Sequence, residues 1–238
     1  MNLSCNPATL YSRDQLTSDE WLALGNKHHL LGVDVSQAMV PDEFTSLLKR
    51  AEMVVSLFIS SARIDQADAV AQLKADIDMA ASLGAKRVRV DNPNSGDAVS
   101  TLAEVLPYAA SNGVTLVYAN TGSRDLFAEV IRALPQLRVC LLAKDLQTLE
   151  PELAARVDYV ICEDIHSTQT DFSAIFETLQ LAGYDGWLSV ESRSLDDLRS
   201  LGRQIRNARH VFQQCGQDGA PAGVALPARG LQRRHAVG

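Results

Sequence analysis

Residues 171–192 read DFSAIFETLQLAGYDGWLSVES, a helical segment followed by a turn and a short apolar strand. Apolar side chains recur at helical spacing through 172–181, and Gly183 stands where such a helix would end. A Tyr-Asp-Gly turn then leads into the predicted strand over 187–190. A helix that leads directly into an apolar strand is the repeating unit of a parallel sheet, because helices connect its strands.

The same alternation of apolar runs and helix-period segments extends over most of the chain. The clearest helical segment covers 67–83, and another covers 101–110. Eight strand-then-helix units within about 215 residues predict an α/β fold, the (β/α)8 TIM barrel. The alternative, an open doubly wound sheet, calls for a glycine-rich phosphate turn after an early strand, which the sequence lacks. The predicted strands cover 2–5, 30–35, 53–59, 87–90, 114–118, 137–142, 157–162 and 187–190.

The pattern divides the chain into a single barrel domain over residues 1–215 and a tail over 216–238. The tail reads GQDGAPAGVALPARGLQRRHAVG, which is rich in glycine, alanine and proline and has no helical period. This composition predicts a flexible segment. The basic residues within 229–235 leave two interpretations open, a docking element for an acidic partner or a disordered terminus.

Removal of residues 217–238 is expected to change the free energy of unfolding by less than about 1 kcal/mol, because the tail offers few apolar side chains to bury. Urea denaturation of the truncated and full-length chains measures the difference. A larger loss, or a change in oligomeric state, would show that the tail packs on the barrel or on a second subunit.

Charge and composition exclude several classes of function. The 238 residues include 22 Lys+Arg and 29 Asp+Glu, a net charge of −7, which argues against binding to a nucleic-acid backbone. The sequence has neither a long apolar run that could span a membrane nor the pattern of a secretory signal at residues 1–14. The widely spaced cysteines match no zinc pattern and are predicted to be reduced core residues, so the expected location is the cytoplasm. They are Cys5, Cys140, Cys162 and Cys215.

Reactive side chains of a parallel barrel collect where its strands end at their C-termini. Here these positions form a polar rim of mixed charge, which suits a small hydroxylated or carboxylated substrate. Glu191 follows an apolar run and is predicted to be the acid/base, while Lys144 could form a Schiff base with a carbonyl. The other candidates are Asp91 for catalysis and, for substrate binding, Arg89, Asn120, Arg193, Asp34, Glu163 and His166.

Glu163, Asp164 and His166 follow one another closely, and such a cluster could contribute ligands to a metal site at this rim. The other strand ends offer apolar residues where further ligands would be needed, and His166 alone among five histidines is well placed. A multi-histidine site cannot be assembled from this sequence. We therefore predict neither a metal ion nor another cofactor.

Several segments resemble the xylose-isomerase-like TIM barrels, a superfamily of sugar and sugar-phosphate isomerases and epimerases together with endonuclease IV-like proteins. The closing phrase GYDGWLSVE at 183–191 is the most specific of them. Further agreement lies in DIDMAASLGAKRVRV at 76–90, SNGVTLVYAN at 111–120 and LLGVDV at 30–35. The resemblance covers roughly residues 1–214 and implies the same closed barrel.

The resemblance also implies a divalent metal held by residues that this chain has largely replaced. Such relatives carry a glutamate on strand five, an aspartate on strand six, a histidine on strand seven and a glutamate on strand eight. The matching positions here are Ala119, Leu142, Ile161 and Glu191, so one ligand of four remains. The family's epimerases move protons with the glutamates of strands five and eight, and Ala119 removes one member of that pair.

Three hypotheses of function follow. The first is a metal-independent isomerase, epimerase or lyase acting on a small sugar-like or keto-acid substrate through Glu191. The second is a non-catalytic barrel that binds a small ligand or a protein partner. The third is a divalent-metal enzyme with an unconventional ligand set. A homo-oligomer is compatible with all three.

Overall fold

The computed structural model describes residues 2–6, 17–40, 44–93, 96–143, 151–163 and 183–191, with Leu179, Arg203, 205–207 and His210. Within these residues, strands and α-helices alternate along the chain as far as the seventh strand. In order they are β1 (Asn2–Asn6), α1 (Ser18–Lys27), β2 (Gly32–Ser36), α2 (Phe44–Arg50), β3 (Val54–Ile59), α3 (Ala69–Ser82), β4 (Arg87–Asp91), α4 (Ala98–Ser111), β5 (Thr115–Ala119), α5 (Arg124–Ala133), β6 (Arg138–Leu142), α6 (Pro151–Ala154), β7 (Val157–Glu163) and β8 (Trp187–Glu191).

The eight strands are parallel and close into a barrel in sequential order. The closing contact runs along the whole of β1 and β8, from Asn2 beside Trp187 to Asn6 beside Glu191. This topology confirms the predicted (β/α)8 TIM barrel and excludes the open doubly wound sheet. None of the helices that the structure describes has the length and apolar character needed to cross a membrane.

The predicted segments agree with the observed ones except at their ends. The two helical segments singled out in the sequence are α3 and α4, and each predicted strand overlaps one of β1 to β8. Cys140 and Cys162 are buried free thiols, as predicted. The predicted helix over 172–181, apart from Leu179, and the tail lie outside the described residues. The division into one domain and a tail therefore stays a prediction.

Alternate residues along the strands face two different sets of neighbours. One set lies between the strands and the helices; in β5, for example, it includes Tyr118, whose ring stacks on Phe127 of α5 at 5.4 Å. The other set fills the barrel interior, and its buried apolar members form a separate cluster. This interior cluster comprises Leu57, Val117, Ala119, Cys140, Tyr159, Ile161 and Trp187.

Large side chains lie across the N-terminal end of the barrel, which we call the floor. Trp187 lies so close to Gly32 of β2 that a Cβ there would be 2.5 Å from the indole ring. Arg87 on β4 and Asp158 on β7 form a two-pronged ion pair at the same end, with the Nε to Oδ2 distance at 2.6 Å. The opposite end, where the strands terminate, is the mouth of the barrel.

Candidate active site

A buried guanidinium connects two opposite strands at the mouth. Arg89 lies on β4, and its side chain is 7% exposed. Its Nε donates to Asp91 Oδ1 at 2.7 Å, two residues further along the same face. Its Nη1 lies 3.4 Å from Glu191 Oε2 on β8, which is opposite β4 in an eight-stranded barrel. The fold thus brings together three residues that the sequence predicts for the site.

The three side chains differ in their access to solvent. Asp91 is 46% exposed, whereas Glu191 is 19% exposed and lies at the end of β8. Burial opposes the charge of the Arg89 guanidinium, but the nearby carboxylates of Asp91 and Glu191 outweigh this effect and raise its pKa above the ordinary value. Arg89 is therefore a permanent cation next to Glu191.

A third carboxylate belongs to the same rim. Glu163 ends β7 and lies in register with Glu191, so their Cα atoms are neighbours across adjacent strands. Parallel strands are about 4.8 Å apart, so the two acidic side chains leave the sheet side by side. On these three strands, the Arg89 guanidinium thus lies near the carboxylates of Asp91, Glu163 and Glu191.

Beneath the mouth, a buried carboxylate is held by hydroxyl groups from three other strands. Asp34 on β2 is 1% exposed. Its Oδ1 accepts hydrogen bonds from Ser56 Oγ of β3 at 2.8 Å and from the Tyr159 hydroxyl of β7. Its Oδ2 accepts one from Ser189 Oγ of β8 at 2.5 Å. Ser4 Oγ of β1 lies 2.7 Å from the Tyr159 oxygen, so five strands contribute to one network.

The environment of Asp34 raises its pKa into the near-neutral range. Burial raises the pKa of Asp34 from its ordinary value near 3.8 to about 6, although its three hydroxyl donors favour the ionised form. The negative charge of Glu191 contributes to the rise. The structure places Asp34 in the middle of β2, inside the barrel, whereas the sequence analysis places it at a strand end. Its role in substrate binding stays a prediction.

The loops after β4 and β5 are fastened to each other by Asn92. Its Oδ1 accepts the hydroxyl proton of Tyr118, and its Nδ2 donates to the Ser123 carbonyl at 2.5 Å. Ser123 also caps α5, because its Oγ accepts from the backbone N–H of Leu126 at 3.3 Å. At Gly122 a Cβ would collide with the Asn92 carbonyl oxygen, so the two loops touch through their backbones.

Asn120 follows β5 beside this junction and has an unused hydrogen-bonding atom. Its Oδ1 is buried and has no partner within the part of the chain that the structure describes. A buried polar oxygen usually has a donor, because leaving it unpaired costs about 1–3 kcal/mol. A ligand hydroxyl would provide one, and the role of Asn120 in substrate binding stays a prediction.

The positions that the resemblance assigns to metal ligands are mostly apolar in this barrel. Ala119, Leu142 and Ile161 belong to or pack against the interior cluster, and none has a side-chain atom that coordinates a metal ion. The fourth, Glu191, has the Arg89 guanidinium at one of its oxygens. Among the described residues, no group of three or more His, Cys, Asp and Glu side chains is arranged to hold a metal.

Three predicted site residues cannot be located in this arrangement. Lys144, His166 and Arg193 lie outside the described residues. The catalytic role of Lys144 and the substrate-binding roles of His166 and Arg193 remain predictions. The six that the structure describes are Glu191, Asp91, Arg89, Asn120, Asp34 and Glu163.

Sequence reasoning misses the residues that support the site from below and beside it. Tyr159 and Ser189 read as core residues of apolar strands, and Asn92 reads as one of several polar residues after strand four. The two-residue period of the strands is the sequence feature that could have identified them. Ser189 precedes Glu191 by two positions and Asn92 follows Val90 by two, so each shares the face of that neighbour.

The family model of the xylose isomerase-like TIM barrel matches residues 22–215. Among solved structures, a D-tagatose 3-epimerase-like protein is similar with a TM-score of 0.73 and 14% identity, over 92% of this chain and 100% of that chain. D-psicose 3-epimerase with D-tagatose from Clostridium cellulolyticum H10 is similar with a TM-score of 0.66 and 12% identity, over 91% and 99%.

An AP endonuclease of family 2 from Brucella melitensis is similar with a TM-score of 0.68 and 16% identity, over 84% of this chain and 95% of that chain. At such identities, the likeness to solved structures shows the fold alone. No curated protein matches the sequence.

Proposed function

Because the chain belongs to the xylose isomerase-like TIM barrel family, we propose that it is a metal-independent isomerase, epimerase or lyase. Its substrate would be a small sugar-like compound or keto acid. Glu191 would move the proton, and Asn120, Glu163 and Arg89 would surround the substrate at the mouth. We expect the protein to be located in the cytoplasm. A homo-oligomer is compatible with this proposal.

The observation that carries this proposal is the carboxylate of Glu191 beside the buried guanidinium of Arg89. Their 3.4 Å contact puts a fixed positive charge next to the group that would accept a proton. Asp91, at 2.7 Å from the same guanidinium, fixes its orientation from the other side. A general base has to be held within reach of the proton that it removes, and this contact fixes the position of the Glu191 carboxylate.

The proposed reaction starts at the carbon next to the substrate carbonyl. Glu191 takes a proton from this carbon, and the electron pair of the broken C–H bond forms the C=C bond of an enediol. The carbonyl π electrons move onto the oxygen, which receives a proton from an electrophilic donor. We propose Asn120 or Lys144 as this donor; Lys144 lies outside the described residues. Glu191 then returns the proton to the former carbonyl carbon, while the other enediol hydroxyl gives its proton to the deprotonated donor and its oxygen becomes the new carbonyl, which completes the isomerisation.

Within this proposal, the absence of a base at the end of β5 favours isomerisation over epimerisation. Inversion at carbon needs one group that removes a proton from one face and another that delivers a proton to the opposite face. A transfer between adjacent carbons through an enediol needs one base on one face. Ala119 supplies no second base from β5, so we place the 1,2-proton transfer first.

Incubation of the purified protein in D2O with EDTA tests the proposal. The substrates would be a panel of aldoses, ketoses, their phosphates and 2-keto acids, followed by proton NMR. We expect at least one substrate to incorporate deuterium at the carbon next to its carbonyl, at a rate that EDTA does not change.

Two results would contradict the proposal. Turnover that EDTA abolishes and a divalent ion restores would indicate a metal enzyme with another ligand set. Saturable ligand binding without deuterium incorporation for any member of the panel would indicate a barrel that binds a small ligand without catalysis.

A further inference from the structure

A buried carboxylate inside the barrel is tied to the strand that carries Glu191. Ser189 and Glu191 lie two positions apart on β8 and therefore on the same face. Ser189 Oγ donates to Asp34 Oδ2 at 2.5 Å, which connects β8 to β2 two residues below Glu191. Asp34 and Ser189 are 1% and 0% exposed, so water does not compete for this hydrogen bond. Glu191 is thus held from inside the barrel as well as by Arg89.

Two opposite charges act on Glu191 from different sides. The Arg89 guanidinium, at 3.4 Å, favours the ionised carboxylate and so makes it a weaker base. Asp34 acts in the opposite direction, because each of two nearby carboxylates disfavours the charge of the other. The negative charge of Glu191 contributes in this way to the raised pKa of Asp34. The coupling is reciprocal, so ionised Asp34 favours the proton on Glu191 to the same extent.

Other titratable groups share the interior and the mouth with Asp34. Burial raises the pKa of the Tyr159 hydroxyl and of the Cys140 thiol, and the negative charge of Asp34 adds to both effects. Both groups are therefore neutral near pH 7, so neither can compensate a change of charge at Asp34 in this range. On the described strands, the charged and titratable neighbours include Arg89 and Asp91 of β4, Cys140 of β6, Tyr159 and Glu163 of β7 and Glu191 of β8.

We propose that Asp34 is a positioning residue for Glu191, which it holds in place through Ser189 and strengthens as a proton acceptor through its negative charge. The inference rests on the proposed function, which assigns the proton transfer to Glu191. It adds a form of regulation, because only ionised Asp34 offsets the effect of Arg89 on the base. Since Asp34 is buried, it acts on the reaction through these neighbours.

Asp34→Asn tests the effect of the charge, because asparagine keeps the shape of the side chain and an oxygen that can accept from Ser189. The assay is deuterium incorporation near pH 7 with the panel substrate that wild type converts fastest. We expect kcat to fall about 3- to 10-fold while KM stays within about twofold, since a weaker base slows proton removal and leaves substrate contacts in place. Glu129→Gln, which changes an exposed carboxylate on α5, should leave both constants unchanged.

A second measurement needs no turnover. Asp34 has a pKa of about 6 in the folded chain, so the stability that its protonated form contributes is lost as pH rises through this value. Glu191→Gln removes a negative charge near Asp34, and the loss should therefore occur at lower pH than in wild type. Urea denaturation between about pH 4 and pH 7 gives the midpoint of the loss, and Glu129→Gln should have the wild-type midpoint.

The inference would be wrong if Asp34→Asn kept the wild-type kcat, or if Glu191→Gln kept the wild-type midpoint. Should Asp34→Asn fail to fold, Ser189→Ala takes its place. Loss of this hydroxyl removes a donor that favours ionised Asp34, so the midpoint should move to higher pH; an unchanged midpoint would contradict the link through Ser189. If wild type converts no member of the panel, the proposed function fails, whereas a lower midpoint in Glu191→Gln would still establish the coupling of the two carboxylates.

Discussion

Replacement of Glu191 by glutamine is expected to lower turnover by about 10²- to 10⁴-fold, the usual effect of losing a general base. The amide keeps the shape of the side chain and still accepts a hydrogen bond from Arg89, so ligand affinity should change by no more than a few fold. Deuterium incorporation in D2O measures the proton-transfer step, and calorimetric titration measures the affinity.

Glu129→Gln is the matched control, because Glu129 is an exposed carboxylate on α5, away from the mouth. It should behave as wild type in both measurements. If Glu191→Gln retained the wild-type rate, Glu191 would have no part in proton transfer, and Asp91 or Glu163 would be the next candidates. An equal loss of affinity and rate would mean that Glu191 binds the substrate rather than reacting with it.

The second large effect is expected in the pH dependence of stability. Unfolded Asp34 ionises near pH 3.8, whereas burial raises its pKa in the folded state to about 6. The protonated folded form therefore contributes stability that is fully present below about pH 4 and is lost as pH rises through about 6. The difference between these two pKa values corresponds to about 3 kcal/mol.

Asp34→Asn should remove this dependence, because asparagine does not ionise. Urea denaturation between about pH 4 and pH 7 is expected to show that the variant gains about 3 kcal/mol relative to wild type over this range. Tyr159→Phe is the companion variant. Loss of the tyrosine hydroxyl removes a hydrogen bond that favours the ionised carboxylate, so the wild-type dependence should persist but move to higher pH.

A constant difference between Asp34→Asn and wild type across the pH range would contradict this account. It would indicate that Asp34 holds the same charge in the folded and unfolded chain. A movement to lower pH in Tyr159→Phe would contradict the role assigned to the tyrosine hydroxyl.

Most of the barrel could be predicted from the sequence because each strand is buried on both faces. Such strands appear as short apolar runs, and eight of them separated by helix-period segments fit few architectures. Strand ends were less predictable, as with β2, which begins two residues later than predicted and ends at Ser36. The ends depend on which hydrogen bonds the neighbouring strands supply, and that information is not local.

Site residues could be predicted from the sequence only where they lie at the C-terminal ends of barrel strands. Glu191, Asp91 and Asn120 end strands or follow them, so the rule for barrel mouths finds them. The partnership of Arg89 with Glu191 joins residues 102 positions apart and depends on the diameter of the barrel. The network around Asp34 depends on which strand faces lie at the same depth, which sequence spacing alone does not specify.

The floor of the barrel has a kinetic consequence. Arg87 and Asp158 pair across the N-terminal end, and Trp187 fills the space above Gly32, so these described side chains obstruct that end of the interior. A ligand at the mouth therefore enters and leaves through the same opening. Product therefore has to leave the mouth before the next substrate molecule can bind, because both use the same opening.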